Sequence, residues 1–277
     1  LYEGKDGRLV FSPTQSPENA PENTKSQATF NATMDVSAAK ELLTRLLALS
    51  RELGRNQEKV PVWEKMLAKM PPYIMGPEGG VKEWLTPLLE DNHAHRHSSH
   101  LYALYDGLPA EIASDPKLMA AFKRVIELKL EKHWTDWQRS GGYMSFGLVQ
   151  LGQAATSLGE AELAYRSFVP LVTRYWLPNM ASTHNYRSLF NMDVSGGLPA
   201  VLIRMLVTSE PGKVSLLKAQ PKTWPQGTIE GLLCRGQVEV RKLEWKPGSV
   251  EVTLASPKAQ RLVLEVPRPI KTAKLRD

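Results

Sequence analysis

The period of the hydrophobic pattern changes once along this chain, at Pro211-Gly212. Ahead of that turn, apolar residues recur at helical spacing, the mark of helices that bury one face. Ala39, Leu42, Leu43, Leu46, Leu47, Leu49 and Leu53 predict a helix over 33–54, with Asp35 and Ser37 as amino-terminal caps and Gly54 as its stop. Further helices are expected over Val62–Met70, Lys117–Lys132, Met144–Leu158, Glu160–Tyr175 and Ala200–Val207, the last with Pro199 in its first turn. Gly159 alone parts two of them, as in an antiparallel helix pair. Behind the turn the runs are short: Val214–Leu216, Ile229–Leu233, Gln237–Trp245, Ser249–Leu254 and Arg261–Val266. Val238, Val240, Leu243 and Trp245 alternate with polar residues, which predicts a small antiparallel β module. The expected division is therefore 1–212 helical and 213–277 β. Helices parted by long polar loops suggest a helical toroid whose loops converge on a site at one end.

Composition narrows the classes. With 42% hydrophobic and 23% charged residues among 277, the chain has ordinary globular proportions. No apolar run is long enough to predict a membrane span. A single cysteine, Cys234, excludes an intramolecular disulfide and argues against a cysteine zinc site. The net charge is +6, with Lys65, Lys69, Lys82, Lys117, Lys123 and Lys129 spread as if on solvated faces. The denser set Lys258, Arg261, Arg268, Lys271, Lys274 and Arg276 makes a polyanion binder a remote reading, and no nucleic-acid partner is expected. The chain opens without an initiator methionine or a signal-peptide pattern, and Leu9–Pro13 reads as a strand entering a loop. Part of a longer polypeptide is the expectation.

Three loop segments carry residues suited to chemistry. Glu18 follows Pro17 in a loop ahead of a helix; it is either a general acid, if partly desolvated, or an exposed loop carboxylate. In Asn92–His100, His93, His95, His97 and His100 are four of the six histidines. Alternation puts the first three on one face of an extended segment, which suits a metal site or a polar rim that binds a substrate. In the third segment, Thr183–Arg187 leads to Asn191–Gly197, where Asp193 is either a helix cap or a carboxylate aimed into a site. Two carboxylates beside histidines and aromatic residues fit glycoside hydrolysis. Trp63, Trp84, Trp134, Trp137 and Trp176 are either a sugar-stacking wall or core.

Together these segments resemble the carboxy-terminal half of glycoside hydrolase family 95, the inverting α-L-fucosidases and α-L-galactosidases. The resemblance runs in order through Phe11-Ser12-Pro13 and Ser16-Pro17-Glu18, then Ala32-Thr33-Met34-Asp35 and Gly80-Val81-Lys82-Glu83-Trp84. It continues through Leu158-Gly159 to Ala164-Tyr165, and from Leu216-Leu217 by way of Trp224-Pro225 to Gly231-Leu232. The specific string is His95-Arg96-His97 with Ser99-His100-Leu101-Tyr102. What the resemblance implies is a mainly α fold, part of an (α/α)6 barrel, followed by a small antiparallel β-sandwich. Glu18 falls on the family's general acid and Asp193 on its general base. The base works with two asparagines of an upstream His-Thr-Asn-x-Asn motif that this chain does not contain. His95, Arg96, His97, His184 and Trp84 are implied to bind the sugar. The implied partners are a glycan substrate and the missing amino-terminal portion of the same enzyme, in the periplasm or outside the cell, with no metal and no cofactor. The family's Gly-Asn-Phe-Gly-Gly after the base is Val194-Ser195-Gly196-Gly197 here, and its Gly-Trp-Ser is Gly142-Tyr143-Met144. The loop from His184 to Asp193 is longer than the usual form. These departures leave open an altered sugar specificity or a carbohydrate-binding homologue without turnover.

Overall fold

A computed structural model describes residues 1–140, 144–267, 269, 271 and 272, and of residues 133–140 the backbone alone. The side chains of Trp134 and Trp137, the pair Gly142-Tyr143, and Arg268, Lys274 and Arg276 lie outside the described residues. Seven α-helices and ten strands are formed among those described: α1 Thr33–Leu53, α2 Val60–Ala68, α3 Ala110–Ala113, α4 Pro116–Ser140, α5 Ser145–Leu158, α6 Ala161–Arg174 and α7 Asp193–Leu206. None of these helices is long and apolar enough to cross a membrane.

Helix α1 follows the leucine spacing and stops at Gly54, whose φ is 64°. Its start differs from the expected one. Neither Asp35 nor Ser37 caps it; the helix begins at Thr33, and its first donors are met from elsewhere. Ala32 N donates to Thr14 Oγ1 and Thr33 N to Glu83 O, while Thr33 Oγ1 donates to Lys82 O. The helix start is thus tied to the irregular 80–84 segment. Leu43 and Leu47 are buried, whereas Leu42, Leu49 and Leu53 are exposed, so α1 covers only one of its two apolar stripes.

The central helix is α5. It is buried on nearly all sides, as its almost continuous apolar sequence requires. It packs between α6 and α7 and under a 3-10 turn, Ser99–Leu104. Small residues set its approach to α7. A Cβ on Gly197 would sit 2.4 Å from Val149 Cγ2, and one on Gly152 would sit 2.9 Å from Val201 Cγ1. Both contacts advance in the same direction, so α5 and α7 run parallel and their amino-terminal ends lie together. Helix α7 starts well before the expected Ala200, which places Pro199 inside the helix and not in its first turn.

The β part is built from two three-stranded sheets. In one, β5 (Val207–Glu210) pairs antiparallel with β6 (Lys213–Leu216), and β6 pairs with β10 (Val263–Glu265). In the other, β7 (Gly227–Cys234), β8 (Val238–Lys246) and β9 (Ser249–Ala255) form an antiparallel meander. Two expectations are corrected. Strand β5 belongs to the sheet, so pairing begins ahead of Pro211-Gly212, which is the turn of the β5–β6 hairpin. The β10–β6 pair is parallel, because the chain crosses to the other sheet after β9. Val207, Val214 and Leu216 share a core with Val238, Val240, Leu243 and Trp245.

The inward residues of β8 change parity between Val240 and Leu243, which a regular strand forbids. A register shift at this point against β9 supplies the extra residue, and opposite it Gly231 adopts φ 71°. The β part is joined to the helices by Trp224, whose ring meets Tyr165 and Phe168 of α6 edge-on at 5.7 and 5.5 Å. Two short hairpins complete the fold: β1 (Tyr2–Glu3) with β2 (Leu9–Val10), and β3 (Thr183–Asn185) with β4 (Ser188–Phe190).

The α5–α7 contact gives a paired test. Gly197→Ala forces a methyl against the stiff Val149 side chain and is expected to lower stability by about 1–3 kcal/mol. Gly196→Ala meets nothing within 4 Å and is expected to stabilise, by up to about 1 kcal/mol, through helix propensity. Urea unfolding of both variants measures the difference; equal midpoints would contradict the close approach.

Candidate active site

Two loops meet beside the amino-terminal end of α5, and α7 starts at that same end. The first loop carries Ser16, Pro17, Glu18 and Asn19, and Asn19 N closes its turn on Ser16 O at 2.9 Å. Ser16 and Asn19 are fully buried. Glu18 projects from the turn with φ 57° and a side chain 54% exposed. The second loop, 92–98, lies against it. His97 Nδ1 is 3.1 Å from Pro17 O, Asn92 Nδ2 donates to Asn19 Oδ1 at 3.2 Å, and the Arg96 guanidinium pairs with the Glu18 carboxylate.

Along this loop His93, His95 and His97 are less exposed than Ala94 and Arg96, but residues 93–96 turn instead of running extended, so the three imidazoles do not share the one face expected. The His95 and His97 rings meet edge-on at 5.2 Å, and His97 meets Phe146, in the first turn of α5, at 5.9 Å. Ser98 N donates to Gln150 Oε1 of the same helix at 2.8 Å. Because α7 runs parallel to α5, its first residue, Asp193, lies at this same end. Asn191 brackets Asp193, its Nδ2 donating to Asp193 Oδ2 at 2.9 Å and its Oδ1 accepting from Asp193 N at 2.7 Å. His184 sits on β3, in the hairpin that leads to Asp193, and contacts Asn185.

Behind the loops is a set of charges withdrawn from water. The Glu83 carboxylate accepts from Ser16 Oγ at 2.6 Å and Asn19 Nδ2 at 2.7 Å. The Glu83 amide donates to Asp91 Oδ1 at 2.8 Å. Lys129 of α4 is fully buried and donates to the backbone carbonyls of His95 and His97 at 3.0 and 2.7 Å. Lys82 donates to Leu89 O at 2.7 Å and reaches Asp91 Oδ2 at 3.3 Å. The reading of Lys82 and Lys129 as solvated is thus corrected: both ammonium groups are interior and tie down loop backbone.

Burial sets the protonation of the cluster. It pushes His95 down to about 4, with the nearby Lys129 charge adding to the effect. His97 and His93 are also lowered, first by burial. His100 is held well below its ordinary value by complete burial and by Lys129. Its Nδ1 lies 3.6 Å from Glu83 Oε2, which is a neutral imidazole against a carboxylate and not an ion pair. Lys129 is lowered by burial, with Glu83 and Asp91 opposing, and Asp91 is raised by burial, with Lys82 opposing. Neutral imidazoles and a guanidinium beside a carboxylate form a polar rim able to bind hydroxyl groups. As for metals, no group of three His, Cys, Asp or Glu side chains among the described residues is placed to hold one. His93 turns towards Glu78, 3.1 Å away, while His95 Nδ1 accepts from His97 N.

One sequence expectation is altered and one alternative is decided. Trp84, assigned to sugar binding, is fully buried among Ala32, Leu89 and Phe30 and presents no face to a ligand. Of the two settings left open for Glu18, this chain shows the exposed one, with an arginine partner. Sequence reasoning missed Glu83, Lys129 and Gln150 as supports. Lys129 had a legible signal: it continues the buried stripe of Phe122, Val125 and Ile126 on α4.

The histidines make stability depend on pH. In the unfolded chain they return to an ordinary value near 6.5 and take up protons that the folded protein refuses until lower pH. The unfolded state then binds more protons, so stability falls as pH falls from about 6.5 towards about 4. Asp91, raised by burial, acts in the opposite sense, since above its unfolded value it is the folded state that holds the extra proton. Urea midpoints are expected to drop between about pH 7 and about pH 5, and to drop less in His100→Asn. An equal drop in the variant would remove His100 from the account.

The chain matches the glycosyl hydrolase family 95 catalytic domain over residues 1–206 and the glycoside hydrolase family 95 C-terminal domain over residues 208–276. It is 29% identical to alpha-L-fucosidase 2 of Arabidopsis thaliana, an alignment covering 90% of this chain and 30% of that protein. The chain thus spans less than a third of the length of this curated relative. With the catalytic-domain match running through both loops and the start of α7, the chain belongs to glycoside hydrolase family 95.

Proposed function

We propose that this chain is the carboxy-terminal part of an inverting exo-glycosidase that releases α-L-fucose or a related α-L-sugar from glycan ends. The observation that carries the reading is the contact of the Glu18 loop with the Arg96–His97 loop, at the end of the helices where α7 starts with Asp193. Family membership supports the reaction class, and the relative's name supports a fucosyl substrate. On this reading the helices are part of an (α/α)6 toroid. The exposed Leu42, Leu49 and Leu53 of α1 give it an apolar face for the remaining helices.

The mechanism is a single displacement. Protonated Glu18 gives its proton to the leaving oxygen, and Asp193 assists a water that attacks the anomeric carbon from the opposite face. A water fits between such carboxylates when they are about 6.5–9.5 Å apart. Arg96, His95, His97 and His184 bind sugar hydroxyls. As the sugar enters, Arg96 exchanges the Glu18 carboxylate for the substrate, which frees Glu18 to take up the proton it must deliver. The resting Glu18–Arg96 pair also favours a second reading, a carbohydrate-binding homologue that does not turn over.

Glu18→Gln and Asp193→Asn separate the two, assayed on a natural disaccharide and on an activated aryl glycoside. Each is expected to lose at least about a hundredfold in kcat where its group acts. Glu18→Gln should lose most on the disaccharide, because a good leaving group needs little protonation, and Asp193→Asn should lose equally on both. Wild-type rates in both variants would end the assignment. The kinetics are read in the complete enzyme, and binding of the disaccharide without any release of sugar by that complete wild-type enzyme would select the second reading.

A further inference from the structure

Glu83 touches no accessible surface, so it contacts no substrate, yet its carboxylate lies in the interior. A buried carboxylate is tolerated only when hydrogen bonds replace the water it has lost. Each Glu83 oxygen has a partner, Ser16 Oγ on Oε1 and Asn19 Nδ2 on Oε2. Those partners bracket Pro17 and Glu18. The carboxylate therefore spans the two ends of the turn that presents Glu18.

That turn needs holding. Glu18 has φ 57°, the left-handed region that a residue with a Cβ enters only when its surroundings impose it. Short bonds to an ionised acceptor are stronger than neutral ones and better suited to impose a conformation. Glu83 is itself fixed, since its amide donates to Asp91 and its carbonyl accepts from Thr33 N at the start of α1. Asn19 extends the hold to the second loop through Asn92.

We propose that Glu83 is a positioning residue for Glu18: by gripping Ser16 and Asn19 it fixes the turn that aims Glu18 at the sugar site beside Arg96 and His97. The proposal rests on the reading of Glu18 as the general acid. Glu83→Gln keeps the shape and removes the charge. Its new NH2 group can be received only by Ser16 Oγ, which must turn from donor to acceptor, and both bonds lose their ionised acceptor.

Hydrogen exchange and kinetics on Glu83→Gln test it together, with Ser16→Ala as a milder variant that removes one partner and leaves Glu83 in place. Backbone exchange at residues 16–19 is expected to rise at least about tenfold, with α5 and α7 unchanged. A misplaced acid is expected to lower kcat on a disaccharide by about ten- to a hundredfold, with KM nearly constant and a smaller loss on an activated aryl glycoside. Ser16→Ala should move both readouts the same way by less. Unchanged exchange at 16–19 in both variants would overturn the grip. Exchange that rises equally in α5 and α7, or a kcat loss equal on both substrates, would reduce Glu83 to a general structural role and overturn the proposal. A complete wild-type enzyme, with this chain joined to its amino-terminal portion, that cleaves neither glycoside overturns the proposed function and with it the purpose of the grip; loop exchange alone then decides whether Glu83 holds the turn.

Discussion

Two opposite charges removed from water organise this structure. The Glu83 carboxylate holds the turn at 16–19, and the Lys129 ammonium holds the backbone at His95 and His97. Neither loop has regular secondary structure, so neither can satisfy its polar groups through a ladder or a helix. The interior charges do this instead. Their cost is met only if every bond is made, which makes the arrangement all-or-none: a half-made network is worse than none. Burial first, and then the Lys129 charge against the opposing Glu83, keeps His95 neutral, and burial with Lys129 does the same for His100.

The helices supply the other half of the geometry. Residue 197 has no side chain and Val149 fills the space, so α7 settles against α5 in parallel. Asp193 thereby arrives at the end where Phe146 and Gln150 receive the histidine loop. At the far end of α7 the chain passes directly into β5, and Leu206 and Val207 enter the β core. Trp224 packs back on α6. Helix, strand and tryptophan lock the β part to the helical part, and α7 links the site at one end with the sheets at the other.

How much of this the sequence disclosed depends on the range of the forces involved. Helices α1, α5 and α6 were legible because burial of one face or of the whole helix imposes a period on neighbouring residues. Strand β8 was legible for the same reason, although its change of parity hid a bulge that only pairing with β7 and β9 explains. Strand β5 was not legible, since four residues running straight out of a helix carry no period of their own. In the site, loop setting and histidine spacing single out Glu18, His97 and Asp193, while Arg96 and the role of each come only with the resemblance. The wider roles of Glu83 and Lys129 depend on partners far along the chain, Ser16 for one and His97 for the other, and no local pattern encodes them. Trp84 misled for the converse reason: beside a motif it reads as a platform, while its bridge to Ala32 turns it into the core.

The strengths of these contacts are graded from the interior outward, and the grading has chemical consequences. The Glu83 and Lys129 bonds are buried and expensive to break. The Arg96–Glu18 pair lies at the mouth with both side chains about half exposed, where ion pairs contribute at most about 1 kcal/mol. On the proposed function, an incoming sugar offers Arg96 hydroxyl acceptors and excludes water as it binds, which makes the pair the contact most easily exchanged. A carboxylate that loses a cation and is covered by a sugar ring passes from a setting that favours charge to one that favours a proton. The backbone that carries it need not move, because its turn is held from behind. An exposed, ion-paired carboxylate at rest and a proton donor under substrate are thus compatible states of one rigid turn, provided that the change is confined to the guanidinium that leaves.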